Sequence, residues 1–383
     1  MKTAIVHDLL TVQGGAERVM REVDALYPAT IHALLSDPGY VEKAFPGHDI
    51  VHSFIQKLPG AIKRYPYYMP LFPLAVESFD LHRYDLVISD SSIVAKGART
   101  RAEQPHICYC HTPMRFAWEF YHFYMKEYFS GRPVRGAVAR VILHFLRMWD
   151  IRSAKEPDLY IANSRHMAKR IAKLYGKKPE VIYPPVDTDY FRPGKVGACR
   201  GEYYVAAGRL VKHKAIDRIV EAFSRLPDRK LVVVGGGPEL RAVKQKAGKN
   251  VEVIGPQSDE TLREVLRGAR AFLNAAVDDF GILPVEANAC GIPVIAYGKG
   301  GVTESIVAGK TGLFYDNPTP QALKEAIVAF ERTKDWDPSL IRRYALRFSA
   351  TRFRDAFRRC VGQFCDFGKK GYVQEEKETS PRG

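Results

Sequence analysis

Two carboxylates and two cations stand where short loops would present them to an anionic ligand. Asp278 lies in an acidic loop at 277–281, after an apolar run at 271–276. Glu286 is eight positions further on, inside a helix expected over 282–290, with Gly291 as its cap and Pro293 beyond. The two carboxylates therefore meet a ligand from different heights, Glu286 about one helical turn in. The amides of Gly281, Ile282 and Leu283 open that helix, where the dipole is positive and suits phosphate. Glu286 is then placed to accept from ribose hydroxyls, as an acidic residue does in other nucleotide folds. Gly208, Arg209 and Lys214 follow the run at 203–207. A guanidinium fork and an ammonium together neutralise a diphosphate. The plainer reading remains open: a capping carboxylate, a solvated glutamate and surface cations.

Other loops add backbone. Gly235, Gly236 and Gly237 before Pro238 permit close approach or form an ordinary turn. Gly300 and Gly301 open a helix with further amides, or one merely capped by Thr303 and Glu304. In the first half, Gly14 and Gly15 turn the chain from strand to helix, and Glu17 suits the helix start. His111 ends a strand at 106–111, and Asn163-Ser164-Arg165 follows another at 159–163.

These residues need strands to hold them. Apolar runs at 3–8, 30–34, 85–89, 106–111, 159–163 and 181–183 alternate with amphipathic stretches, and so do runs at 203–207, 230–234, 251–254, 271–274, 293–297 and 312–315. Helical patterns at 216–225 and 258–267 lie between such runs. Alternation of this kind predicts parallel sheets wound with helices on both faces, and ligands then sit at the carboxyl ends of the strands. The pattern occurs twice, around a Pro-, Gly- and charge-rich linker at 188–202. The expected limits are 1–191 and 192–345, then a C-terminal helix at 346–367 and a loose polar tail at 368–383.

The chain has 383 residues, 46% hydrophobic and 26% charged, so whole-chain disorder is excluded. So is a polytopic membrane protein, since no apolar run of about 18 residues occurs. The opening MKTAIVHDLL reads as a first strand, not a signal peptide. Six cysteines lack metal-ligand spacing; Cys108 and Cys110 share one strand face, and a reducing cytoplasm without structural disulfides is expected. The net charge of +15 leaves nucleic acid, an anionic membrane or a phosphorylated small molecule as partners. Residues 115–178 hold 14 Lys+Arg against 5 Asp+Glu. Within them, 116–129 carries eight aromatics, and 135–155 reads as a basic amphipathic helix with Val138, Val141, Ile142, Phe145 and Trp149 at helical spacing. That stripe faces either the core or an anionic lipid surface.

Together, GRLxxxK (208–214), Asp278 with Glu286, FGxxPxEAxAxGxPVIA (280–296) and GGxxE (300–304) resemble the retaining glycosyltransferases of family 4. The resemblance runs over about residues 1–365. It implies an α/β GT-B fold: two facing Rossmann-like domains with a central cleft, and a C-terminal helix returning to the first. It implies a nucleotide-diphosphate sugar as donor, with no metal and no other cofactor required. It assigns Arg209, Lys214, Asp278 and His111 to catalysis. Gly14, Gly15, Gly208, Gly281, Ile282, Leu283, Glu286 and Gly301 go to donor binding, and Arg115 and Asn163 to the acceptor. The segment HTPMRFAW (111–118) resembles the mannosyl-transferring branch of lipopolysaccharide and capsule synthesis. That implies GDP-mannose, a lipid-linked saccharide acceptor, and a cytoplasmic enzyme peripheral to the inner face of the plasma membrane. A UDP-sugar donor, a nucleotide-sugar 2-epimerase and a nucleic-acid-binding protein are the alternatives; no nucleic-acid motif is found, and the expected partners exclude nucleic acid. Two positions depart from the family: Asp278 replaces the usual Glu, and Asn288 replaces an apolar residue.

Overall fold

Short runs of Val, Ile, Leu and Ala form parallel strands in the computed structural model, which describes residues 1–194, 201–333 and 336–378, with side chains through 365. Strands β1 (Thr3–Leu10), β2 (Ala29–Ser36), β3 (Ile50–His52), β4 (Leu86–Ser91), β5 (His106–Cys110), β6 (Leu159–Ala162) and β7 (Glu180–Val181) make one sheet, in the order β3-β2-β1-β4-β5-β6-β7. Strands β8 (Tyr203–Ala207), β9 (Lys230–Val234), β10 (Val251–Gly255), β11 (Ala271–Asn274), β12 (Val294–Tyr297) and β13 (Gly312–Tyr315) make a second, in the order β10-β9-β8-β11-β12-β13. Both orders reverse direction beside their first strand, the Rossmann-like arrangement. The short β3 has no counterpart among the expected strands. It spans three residues at the sheet edge and none of them is buried, so it leaves no apolar run to read.

Burial on both faces explains the continuous apolar runs. Ala4 and Val6 of β1 pack with Phe72, Val76 and Val87. Ile5, between them, packs on the opposite face with Val19, Ile88 and Tyr109. That second face is completed from far along the chain by Phe353, Phe357 and Val361 of the helix Ala350–Glu378.

The chain divides into two compact units, Met1–Tyr183 with Phe353–Gly383, and Pro184–Arg352. The first crossing falls ahead of the expected 191/192, because residues expected to close the first domain are built into the second. Val186 N–H donates to Phe348 O at 2.8 Å. Arg342 Nη1 donates to the carbonyls of Thr188, Phe191 and Ala289 at 3.1, 3.2 and 2.9 Å. Of the expected linker, residues 195–200 lie outside the described residues. At the other end, the helical stretch breaks at Ser349, whose partner is Val186, and the second crossing follows at Arg352/Phe353. The last helix runs to Glu378, through most of the segment expected as a loose tail, since no proline interrupts it there; residues 379–383 lie outside the described residues.

Candidate active site

In the second unit the strand order turns between β8 and β11, so the loops leaving those two strands flank the switch point where ligands bind in such sheets. The β8 loop carries Gly208, Arg209 and Lys214, and the β11 loop carries Asp278 and Gly281. Glycines allow the loops to approach. Gly235 has φ +137°, and a Cβ there would stand 1.9 Å from the Gly208 carbonyl oxygen; one on Gly237 would stand 2.5 Å from that of Leu210. Gly208 N–H donates to Val234 O at 3.0 Å and Leu210 N–H to Gly236 O at 2.8 Å. The triple glycine thus serves the Arg209 loop, holding it by its backbone while the Arg209 side chain stays exposed.

Gly300 and Gly301 do the same for the acidic loop. A Cβ on Gly301 would stand 1.9 Å from the Asp279 carbonyl oxygen, and Gly301 N–H donates to Asp278 O at 2.7 Å. The Gly301 amide expected to meet the donor is therefore engaged in fixing Asp278. The Asp278 side chain is buried and doubly held: Lys214 Nζ donates to Oδ1 at 2.5 Å, and Asn274 Nδ2 to Oδ2 at 3.0 Å. Two residues assigned to one reaction are in this way brought into contact.

The helix Ile282–Ala289 starts from Gly281 at φ +92°. The amides of Ile282 and Leu283 have no acceptor within the helix, and Pro284 at the third position contributes none. Glu286 is fully buried on the same helix. Cys290 at its end is buried too, and desolvation pushes its thiol up to about 12. Asn288, without a role in the sequence reading, donates to the carbonyls of Ile292 and Thr311 at 2.9 and 3.1 Å. It ties the helix end to the segment before β13.

In the first unit the switch lies between β1 and β4. The register sets His7 beside Asp90. His7 Nδ1 meets Asp90 Oδ2 at 2.9 Å, His7 Nε2 lies 3.5 Å from Glu17 Oε1, and His111 Nε2 bonds Asp90 Oδ1. Burial acts to lower the His7 pKa, yet hydrogen bonds to Asp90 and Glu17 hold it well above the ordinary 6.5. For Asp90, burial acts upward, but His111 and His7 hold the carboxyl below its ordinary value. Glu17 is thus a buried partner of His7, and a Cβ on Gly14 would lie 2.8 Å from its Oε2. Gly15 begins the helix Gly15–Leu26.

Asn163 Nδ2 donates to the His111 carbonyl at 3.0 Å, so this side chain fixes the His111 backbone. Arg115 Nε lies 3.9 Å from Glu119 Oε2, with its guanidinium over the Phe120 ring. On the opposite face of β1, Asp8 accepts from the backbone N–H groups of Ser92, Ile93, Val94 and Ala95 at 2.6–2.8 Å. That fixes the chain leaving β4, directly after Asp90. Among the described residues, no cluster of His, Cys, Asp and Glu is placed to hold a metal ion.

The Glycosyltransferase Family 4 profile matches residues 13–190, and the Glycosyl transferases group 1 profile matches 198–343. The chain carries these two glycosyltransferase domains in tandem. The D-inositol 3-phosphate glycosyltransferase of Mycobacteroides abscessus is 30% identical over 203 residues, covering 47% of this chain and 43% of the relative. The match thus spans less than half the length of the curated relatives. Anabaena Alr3699/HepE, solved in complex with UDP and glucose, aligns at TM-score 0.72 and 18% identity, over 94% of this chain and 99% of that one. The apo lipopolysaccharide outer core galactosyltransferase WaaB aligns at TM-score 0.65 and 16% identity, over 95% and 99%. These likenesses give the chain the GT-B fold.

Within these domains, the sequence reading missed Asp90, His7, Asn274 and Arg342. Strand-end position was the available signal for Asp90, next to last in β4, and for Asn274, which closes β11, much as His111 follows β5. Nothing in the local sequence marks Arg342, whose three acceptors come from two distant segments.

Proposed function

We propose that the protein is a retaining glycosyltransferase that moves a hexosyl group from a nucleotide-diphosphate sugar to a lipid-linked saccharide, with GDP-mannose as donor. The observation that carries this reading is the Lys214–Asp278 pair, held between the β8 and β11 loops beside the start of the helix Ile282–Ala289. A diphosphate at that helix start meets the Ile282 and Leu283 amides and draws on Arg209 and Lys214. Asp278 then holds hydroxyls of the sugar, and Glu286 those of the ribose.

The bond from the anomeric carbon to the diphosphate oxygen breaks, and one from the acceptor hydroxyl oxygen forms on the same face. The acceptor proton passes to the departing phosphate oxygen, so no side-chain nucleophile is needed. Arg209 and Lys214 stabilise the negative charge that develops on the diphosphate, the usual source of most of the rate in such sites. No metal or cofactor is required. His111, oriented by Asp90 and Asn163, serves sugar or acceptor binding, and Arg115 an acceptor phosphate. The acceptor makes the enzyme a cytoplasmic protein peripheral to the plasma membrane.

The GDP-mannose assignment rests on HTPMRFAW. A UDP-sugar is the second reading, favoured by the UDP and glucose bound in HepE. Thermal shift with GDP, UDP and ADP tests the donor, followed by transfer from the matching sugar nucleotide to a lipid-diphosphate acceptor. Stabilisation by GDP and acceptor-dependent nucleotide release are expected. Stabilisation by UDP alone rejects mannose, and near-normal turnover by Arg209→Ala rejects the site.

A further inference from the structure

The helix Pro133–Ser153 has two apolar faces, and among the described residues nothing covers one of them. Leu146, Asp150 and Ser153 are buried, and Ile142, Leu143 and Trp149 pack against the core. That side is firmly anchored: Asp150 binds Lys96 at 2.5 Å, Trp118 Nε1 at 2.7 Å and Tyr175 OH at 2.9 Å. A Cβ on Gly97 would stand 2.5 Å from the Trp149 ring, so that contact is close. On the other side, Val134, Val138, Val141, Phe145 and Met148 form a stripe at steps of four and three, and each is between 54% and 76% exposed. Of the stripe expected from the sequence, only Ile142 and Trp149 face the core. Val138, Val141 and Phe145 face water.

We infer that this stripe and the arginines flanking it form a docking surface for an anionic lipid bilayer. The inference deepens the reading of a lipid-linked acceptor but stands on this surface alone. Five large apolar side chains in one row are what a helix lying in the headgroup region inserts. At 21 residues the helix is about 30 Å long, and it lies flat on such a surface. Among the described residues no helix is long and apolar enough to cross a membrane.

Charge selects the occupant. Residues 121–153 hold six Lys+Arg and two Asp+Glu, and one of those acids, Asp150, is buried against Lys96. Arg135 and Arg140 are exposed beside the stripe. Arg132 and Arg135 are both exposed at the first turn, where they can meet phosphate headgroups. A second copy of the chain docking symmetrically would set these arginines against themselves. Anionic lipid instead gains about thirtyfold in binding from a pair of them.

Sedimentation of the full chain with vesicles tests this. Binding is expected to phosphatidylcholine vesicles containing phosphatidylglycerol, and not to phosphatidylcholine alone. Arg135→Ala with Arg140→Ala should weaken it about thirtyfold, and Val141→Asp with Phe145→Asp should remove it. All four sites are exposed, so melting temperatures and nucleotide-induced shifts should match the parent. No vesicle binding, undiminished binding by the Asp variant, or a concentration-dependent dimer abolished by Phe145→Asp would overturn the surface. A parent chain that binds nucleotide but no vesicles sinks the surface alone; one that binds vesicles but no nucleotide sinks the donor reading alone.

Discussion

Lys214 and Asp278 share a hydrogen-bonded ion pair of 2.5 Å, with Asp278 buried and Lys214 one-third exposed. The cation assigned to the leaving diphosphate therefore holds the carboxylate assigned to the sugar. The pair should act as a unit. Lys214→Ala is expected to lower kcat/KM by about 10²–10³, the scale for losing one charge-stabilising group. Asp278→Ala should have a comparable effect, and the double variant should lose much less than the product of the two. Asp278→Glu keeps the carboxylate and should stay within about tenfold of the parent. Nucleotide release with acceptor present measures all four. Strictly multiplicative losses would show that the two residues act separately.

Gly235 is the most demanding position in the Arg209 loop. Its φ of +137° and the 1.9 Å approach of Gly208 O to an added Cβ leave Ala no accommodation. Gly235→Ala should destabilise the second unit by about 2–4 kcal/mol and raise the donor KM, since the β8 loop must move. Gly255 is the control. Its φ is +76°, but an added Cβ meets nothing within 4 Å. Gly255→Ala should then cost only the backbone strain, about 1–2 kcal/mol, with KM unchanged. Urea unfolding and donor titration separate the two.

The strands were legible because interior parallel strands are continuous apolar runs between glycines and prolines, as at Tyr203–Ala207 and Val294–Tyr297. The loops of the second unit were legible because Gly208, Gly281 and Gly300 adopt positive φ, which few other residues tolerate. The His7–Asp90–His111 contact was not, because it is made by the pairing of β1 with β4, and no local pattern encodes that register. The helix Pro133–Ser153 shows a different limit. Both of its faces are apolar, so periodicity found the helix but could not say which face is covered.

His106 makes stability sensitive to acid. It is fully buried, and burial depresses its pKa to about 3, while its Nε2 lies 2.9 Å from Ser89 Oγ. An unfolded histidine protonates near 6.5. Between those values the unfolded chain binds a proton that the folded one refuses, so stability falls with pH, by up to about 1.4 kcal/mol per pH unit. His7 has the opposite sign: its raised pKa adds stability below about 6.5, lost as pH rises through the folded value. His106→Gln should flatten the decline between pH 6.5 and 3, even if it lowers stability at neutral pH. Urea midpoints measured across that range decide it; an unchanged slope would exclude His106 as a source.

Phe357 is the last prediction, and it concerns how the chain's end supports its beginning. The side chain is fully buried, stacked on Phe353 at 5.6 Å between centroids and packed in the cluster of Ile5, Val19 and Tyr109. Tyr109 precedes His111 in the chain by two residues, and their rings lie 5.0 Å apart; Tyr109 also meets Phe353 at 6.0 Å. Removing the Phe357 ring should cost about 3–5 kcal/mol, the range for a large core cavity. The loss should appear only in unfolding of the first unit, because among the described residues that cluster is drawn from the first unit. Phe357→Leu fills most of the volume and should recover at least half of the loss. Calorimetry with and without the stabilising nucleotide distinguishes the units: nucleotide should still raise the transition of the second in Phe357→Ala. A uniform drop in both transitions would show that the C-terminal helix supports more than the sheet it covers.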